Sequence, residues 1–281
     1  MMRTWFITGA SRGIGRQMTE QLLARGERVV ATARRIEELQ ALAAAHDGRL
    51  HAARLDVTDT AAIRRVVAEA VAMFGRIDVL VSNAGVAVLG AAEELEDDGI
   101  DRQLATNLVG PIQLMRAVLP HFRAQGAGRI IQVSSEGGQM AFPSLSLYHA
   151  TKWGIEGFCE SLMLEVAPFD IRVTLVQPGH LDTGFDDQLL RAGTTIEAYQ
   201  KTTVGHYRRL HAMGRFPRIG DSAKVAAAIL ALADLAKPPK RLTLGSDAYR
   251  NLHRALTARL AELESQKDSA PATDRDQSVV G

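Results

Sequence analysis

The sequence predicts an α/β fold: a doubly wound, parallel, seven-stranded sheet with helices on both faces. Three observations carry this expectation. Short apolar runs of strand length alternate with longer amphipathic segments over most of the chain. A glycine-rich turn, Thr8-Gly9-Ala10-Ser11-Arg12-Gly13-Ile14-Gly15, joins the first apolar run to the first amphipathic one. Small residues such as Asn83-Ala84-Gly85 end a later strand, where open α/β sheets bind their ligands.

Composition sets the outer bounds. One α/β domain can use a chain of 281 residues. With 33 basic and 32 acidic residues, net charge gives no reason to expect nucleic acid as a partner. No apolar run is long enough to span a bilayer, so no membrane partner is expected. The single cysteine, Cys159, excludes an intrachain disulfide and suits a reducing compartment. A strand begins within a few residues of Met1 and no secretory h-region precedes it, so a cytoplasmic protein is expected.

The first strand is the run Trp5-Phe6-Ile7. Ile14, Met18 and Leu22 then recur every four residues, which is a helix period. Glycines in the turn between them let backbone approach a phosphate, and the helix start offers unpaired N–H groups to an anion. Residues 28–33 read as the second strand, followed by Arg34 and Arg35. In a dinucleotide fold this strand end faces the adenosine ribose. An acid there would bond a free 2′-hydroxyl, but none occurs before Glu37. A guanidinium suits a 2′-phosphate, and Arg12 can reach the same group, so the pattern favours NADP over NAD. The alternative is that Arg12 and Arg34 are solvated surface charges.

Residues 36–45 look helical, residues 50–55 form a third strand, and a helix runs over 60–74 with Thr58 or Asp59 as cap. Asp56, with Val57 beside it, follows the third strand. Its carboxylate can bond an adenine amino group or cap a turn. Residues 78–82 are a short buried strand. A polar segment, 93–102, leads into a helical stretch through about residue 125, interrupted by Asn107, a poor mid-helix residue. Residues 129–134 and 171–177 are strands, with a helix opened by Tyr148 between them, and Pro178-Gly179 ends the second of the two. Periodicity fails over 180–220, where short helices covering a substrate pocket are expected. Residues 222–235 are helical, 241–244 a seventh strand and 249–264 a last helix. Residues 1–264 therefore form one domain, and the polar stretch 265–281 is expected to be disordered.

Tyr148 and Lys152 lie four apart, on one helix face, roughly 6 Å apart along the axis. Bringing a phenol from about 10 toward neutrality takes about 3–4 kcal/mol of differential stabilisation, which a nearby ammonium can supply. Ser135 precedes Tyr148 by thirteen residues at a strand end and can bond the same substrate oxygen. Each residue alone has an ordinary structural explanation. Strand alternation aims Ser134 to the opposite face from Ser135. His149 lies about 100° around the helix from Tyr148, which argues against a catalytic part. Glu136 and Gln139 either line the pocket or face solvent.

In combination these motifs resemble the short-chain dehydrogenases/reductases over residues 3–244. The turn 8–15 is similar to the family's TGxxxGxG loop. Ser82-Asn83-Ala84-Gly85 is similar to its NNAG motif, with Ser82 replacing the first asparagine, and Tyr148-x-x-x-Lys152 to its YxxxK. The resemblance implies a Rossmann-type domain with Tyr148 as general acid/base. It implies that Lys152 lowers the tyrosine pKa and bonds the nicotinamide ribose, and that Ser135 orients the substrate. It implies that Asn107 holds a lysine-bound water. Gly9, Ser11, Gly13, Ile14, Gly15, Asn83, Ala84, Gly85, Pro178, Gly179 and Thr183 would border the cofactor. The ending 237–248 lacks the glycine pair of β-ketoacyl-carrier-protein reductases and is closer to hydroxysteroid- and retinol-dehydrogenase-like members.

The implied activity is reversible carbonyl–alcohol oxidoreduction with NADP(H) on a small molecule, without a metal. An NAD enzyme, a cofactor-binding regulator and a dehalogenase-like lyase on the same fold are the alternatives. Intact Ser135, Tyr148 and Lys152 argue against the regulator, and the three loop glycines against the lyase. Phe185, Leu189, Leu190, Tyr199, Tyr207 and Phe216 either suit an apolar ligand or pack the lid. A homo-oligomer, dimer or tetramer, is expected because the helices carrying Asn107 and Tyr148 pair across interfaces in relatives.

Overall fold

A computed structural model describes residues 2–46, 48–182 and 189–275. In chain order its elements are β1 (Thr4–Thr8), α1 (Gly13–Ala24), β2 (Arg28–Ala33), α2 (Glu37–Ala44), β3 (Leu50–Arg54), α3 (Thr60–Phe74), β4 (Val79–Ser82), β5 (Val88–Leu89), α4 (Asp97–Leu104), α5 (Gly110–Gln125), β6 (Gly128–Val133), α6 (Ser146–Val166), β7 (Ile171–Pro178), β8 (Leu190–Arg191), α7 (Thr203–Ala212), α8 (Ser222–Ala231), β9 (Arg241–Leu244) and α9 (Ser246–Glu264). Seven strands make one sheet in the order β3-β2-β1-β4-β6-β7-β9. Every pairing in it is parallel. The chain moves outward through β2 and β3, then returns to lay β4 against the other side of β1. The β1–β4 boundary is thus the switch point, where the connecting loops diverge and leave a crevice.

Parallel strands covered on both faces must be apolar on both. Alternation along β1 shows it. Trp5 and Ile7 pack with Met18 and Leu22 of α1 and with Ile229 of α8. Phe6 packs with Ile63 of α3, Leu114 of α5 and Cys159 of α6. Asp59 caps α3 by accepting from the Ala62 N–H at 2.9 Å, which settles the choice between Thr58 and Asp59.

Helix begins inside the polar segment 93–102, with α4, and the helical stretch expected through about residue 125 is interrupted at Asn107. A π-helical turn, Ala105–Val109, separates α4 from α5 and contains Asn107. The amide of Asn107 brackets Val86, accepting from its N–H at 2.9 Å and donating to its carbonyl at 2.7 Å. The mid-helix asparagine is there to satisfy the backbone that follows β4.

The segment 180–220, where short helices are expected, holds one of ten residues, α7, and also the strand β8, which pairs in parallel with β5. The carboxylate of Glu94, buried, accepts from Ala91 N at 2.7 Å and Ile196 N at 2.8 Å and pairs with Arg208 of α7. This ties the lid to the loop after β5. Beyond α9, residues 265–275 are exposed and run as turns with one 3₁₀ turn, Ala270–Thr273, where the sequence predicts no fixed structure.

Glu156 of α6 is a second buried carboxylate. It accepts from Ser134 Oγ at 2.7 Å, Gln177 Nε2 at 2.9 and 3.1 Å, and Arg241 Nε at 3.1 Å. It therefore joins α6 to β6, β7 and β9. Glu156→Ala is expected to lower the unfolding free energy by about 2–4 kcal/mol, because three donors lose their acceptor. The partial exposure of Arg241 and its pairing with Glu160 keep the loss below that of a fully buried pair. Urea unfolding followed by circular dichroism reads the change, and a loss below about 1 kcal/mol would contradict this role.

Candidate active site

The carboxyl ends of β1, β2, β3, β4, β6 and β7 open onto one cavity of about 500 Å³. Of the residues singled out from sequence, Gly9, Ser11, Arg12, Gly13, Ile14, Arg34, Asp56, Val57, Asn83, Ala84, Gly85, Ser135, Tyr148, Lys152, Pro178 and Gly179 line it. Gly15 and Asn107 sit behind the wall rather than on it. Thr183 and Phe185 lie outside the described residues.

At the glycine loop, backbone packs on backbone. A Cβ on Gly15 would fall 2.3 Å from the carbonyl oxygen of Gly9. Asn83 Nδ2 donates to the carbonyls of Thr8 at 2.9 Å and Gly9 at 3.2 Å, fixing the loop from the β4 side. No side chain caps the start of α1, so its first N–H groups remain for an anion in the cavity. Arg12, Arg34 and Arg35 all line this end. The Arg12 guanidinium is held below its ordinary range, first by burial and then by repulsion from Arg34 and Arg35. Such crowding of cations is relieved by a bound phosphate. Arg35 was not assigned a role from sequence, although its adjacency to Arg34 was the available signal. Asp56 Oδ1 accepts from the Thr58 N–H at 3.0 Å and Thr58 Oγ1 at 2.9 Å. The turn-capping reading of Asp56 therefore holds for one oxygen, while the residue also faces the cavity.

At the other end, Lys152 is buried, and its Nζ donates to the Val133 carbonyl at 3.0 Å. It lies 5.6 Å from the centre of the Tyr148 ring. Desolvation lowers its pKa from 10.5 to about 8, against a smaller opposing effect of Glu156. Ser135 Oγ accepts from the Gly137 N–H at 3.1 Å. Ser134 turns the other way, onto Glu156. His149 is a fastener: its Nδ1 donates to the Gly137 carbonyl and its Nε2 accepts from the Phe142 N–H, both at 2.8 Å. Burial lowers its pKa, in keeping with a neutral ring held in one tautomer.

The short chain dehydrogenase family matches residues 3–192 of this sequence. The chain belongs to that family. As a short-chain dehydrogenase it is 36% identical to Oxidoreductase BOA17 of Botryotinia fuckeliana over 274 residues, covering 97% of this chain and 100% of the other. A short-chain dehydrogenase of known crystal structure from Streptomyces avermitilis is 40% identical, with a TM-score of 0.89 over 97% of this chain and 98% of that one. A metagenomic short-chain oxidoreductase crystallised in complex with NADP is 27% identical, with a TM-score of 0.68 over 86% and 96% of the two chains.

The remaining cavity wall of this short-chain dehydrogenase comes from the lid and the last helix. Leu189, Tyr207 and Phe216 line it, as does Glu136, whereas Leu190, Tyr199 and Gln139 do not. Tyr199 instead donates to Glu93 at 2.8 Å. Asp247, Arg250 and Asn251 of α9 also line the cavity. Sequence reasoning missed these three and Glu156. Glu156 carried one signal, since it continues the four-residue spacing of Tyr148 and Lys152.

The buried lysine has a measurable signature. Its folded pKa, about 8, lies below its ordinary 10.5, so the native state sheds this proton first. Stability then rises as pH climbs from about 8 towards 10.5, and at neutral pH the burial opposes folding. Lys152→Met is expected to be more stable than wild type by about 1–3 kcal/mol near neutral pH, an advantage that shrinks as pH rises. Parallel denaturant titrations at neutral and alkaline pH test this. A pH-independent difference between the two proteins would contradict it.

Proposed function

We propose that the protein is an NADP(H)-linked oxidoreductase that interconverts a ketone or aldehyde and an alcohol. One observation carries the reading: Ser135, Tyr148 and Lys152 share a cavity with an uncapped helix start and three crowded arginines. The glycine loop and α1 would hold the pyrophosphate, and Arg12, Arg34 and Arg35 the 2′-phosphate. The bound nicotinamide supplies or takes the hydride. Tyr148 passes the proton to and from the substrate oxygen. Lys152 favours the phenolate and Ser135 orients the oxygen. The Asn107 side chain is committed to Val86 and to Thr151 Oγ1, which it reaches at 3.2 Å. With its side chain so committed, Asn107 would support the reaction by positioning the segment after β4 and Thr151 of α6.

An NAD preference fits poorly, since no acid ends β2. In the same reading the protein is cytoplasmic and homo-oligomeric. The buried free thiol of Cys159 supports the first, and the exposed apolar Val109, Leu164 and Phe169 support the second. Among the described residues no helix is long and apolar enough to cross a membrane.

Two substitutions test the assignment. Arg34→Ala is expected to weaken NADPH binding about tenfold while leaving NADH binding little changed, read by nucleotide fluorescence. Equal losses for both nucleotides would remove the 2′-phosphate role. Tyr148→Phe is expected to lower kcat about a hundredfold or more, with NADPH binding retained. If wild type binds neither nucleotide, the oxidoreductase reading fails.

A further inference from the structure

The wall of the cavity beside Ser135 carries charge that proton and hydride transfer do not use. Glu136 follows Ser135 and is 7% exposed. Its Oε2 accepts from Asn251 Nδ2 at 2.9 Å, and its other oxygen has no hydrogen-bond partner among the described residues. Asp247, in the first turn of α9, is 8% exposed. Its Oδ2 accepts from the His180 N–H at 2.9 Å, while its Oδ1 is buried without a partner. Both carboxylates line the cavity, and neither has an ion-pair partner among the described residues. Burial, reinforced by Asp247, holds Glu136 above the ordinary carboxylate range, against the opposing bond from Asn251. His180 and Arg250 face the same group, but Arg250 is exposed and its charge is screened.

Aromatic rings complete this end of the cavity. Tyr207 and Phe216 have centroids 4.7 Å apart, and Phe142 lies 6.3 Å from Tyr207. All three line the cavity. Ring faces carry negative potential and attract cations. The open oxygen of Glu136, with the buried Asp247 carboxylate behind it and aromatic rings along the same wall, makes an environment that accepts an alkylammonium. A neutral hydroxyl could bond one carboxylate oxygen, but it would leave both charges uncompensated.

We propose that Glu136 and Asp247 form an ammonium-binding subsite, and that the substrate is an apolar carbonyl or alcohol compound with a protonated amine a few bonds from the reacting carbon. The adjacency of Glu136 to Ser135 sets that short spacing. The reacting group rests on the oxidoreductase reading above, whereas the amine subsite can be observed without turnover.

Calorimetric titration of decylamine and of 1-decanol, with and without NADPH, compares a cation with a neutral donor on the same alkyl chain. Decylamine is expected to bind wild type about tenfold more tightly than 1-decanol. Glu136→Gln, which keeps an acceptor for Asn251, is expected to remove most of that preference. Asp247→Asn, measured separately, is expected to reduce it in the same direction. Equal binding of the two ligands by wild type overturns the proposal. So does a preference that survives both substitutions. Turnover of 2-decanone with NADPH reports on the reaction separately, and its absence beside an intact amine preference would remove the reaction and leave the subsite.

Discussion

The structure depends on a close contact at the switch point, where the carbonyl of Gly9 meets Gly15 and Asn83. The 2.3 Å gap to a Cβ built on Gly15 leaves no room for one there. Asn83 holds the carbonyls of Thr8 and Gly9, while Thr8 Oγ1 accepts from the N–H groups of Asn83 at 2.9 Å and Ala84 at 3.1 Å. The ends of β1 and β4 thus behave as one unit. The constraint continues along the chain. Val86, two residues past Ala84, is gripped by Asn107, whose amide reaches Thr151, whose hydroxyl in turn donates to the Tyr148 carbonyl at 2.8 Å. A continuous run of short-range bonds therefore links the glycine loop to the helix that carries Tyr148. In a reaction whose rate depends on the distance between two bound partners, such a link matters more than any single contact.

Along α6, three polar residues at four-residue spacing occupy successive depths. Tyr148 faces the cavity, Lys152 reaches the end of β6, and Glu156 lies among β6, β7 and β9. The buried ammonium opposes folding, and Glu156 offsets part of that cost from one turn further on. Glu156 also takes the Ser134 hydroxyl, which fixes the strand end from which Ser135 emerges on the opposite side. One carboxylate absent from the chemistry thereby helps set both the lysine's charge and the serine's direction. The fold accepts an uncomfortable lysine because the surrounding sheet over-determines its position.

Much of this was legible in the sequence, for identifiable reasons. Buried parallel strands are apolar runs between turn signals, so all seven large-sheet strands could be placed to within a residue or so. The turn 8–15 and the Tyr148–Lys152 pair were legible because their chemistry needs fixed local spacing. At Asn107 the break in the helix was visible but its π form was not, since one extra residue per turn barely disturbs a helical period. The pairing of β5 with β8 was not, because two residues make no pattern. Glu156, Asp247 and Asn251 escaped for another reason. Their partners are distant in sequence, and a lone charged residue in a helix reads as a solvated one. The arginine cluster was partly visible: the residues could be named, but their mutual repulsion appears only once they are brought together.

The division between frame and lid has a physical basis. The frame is held by backbone contacts and ladder hydrogen bonds, which tolerate few changes of side chain. The lid is held by more individual devices, among them a two-residue strand pair, the bond from Tyr199 to Glu93, and one buried carboxylate that binds two backbone N–H groups and Arg208. Substituting residues between those attachments alters the cavity wall without loosening the sheet. The same holds for the first turns of α9, whose Asp247 anchors the turn after β7 through one oxygen and leaves the other unpartnered. Reaction type is therefore set where the sequence signal is strongest, and substrate choice where it is weakest. A wall assembled from separate side-chain anchors can be rebuilt for a new ligand while Ser135, Tyr148 and Lys152 stay in place.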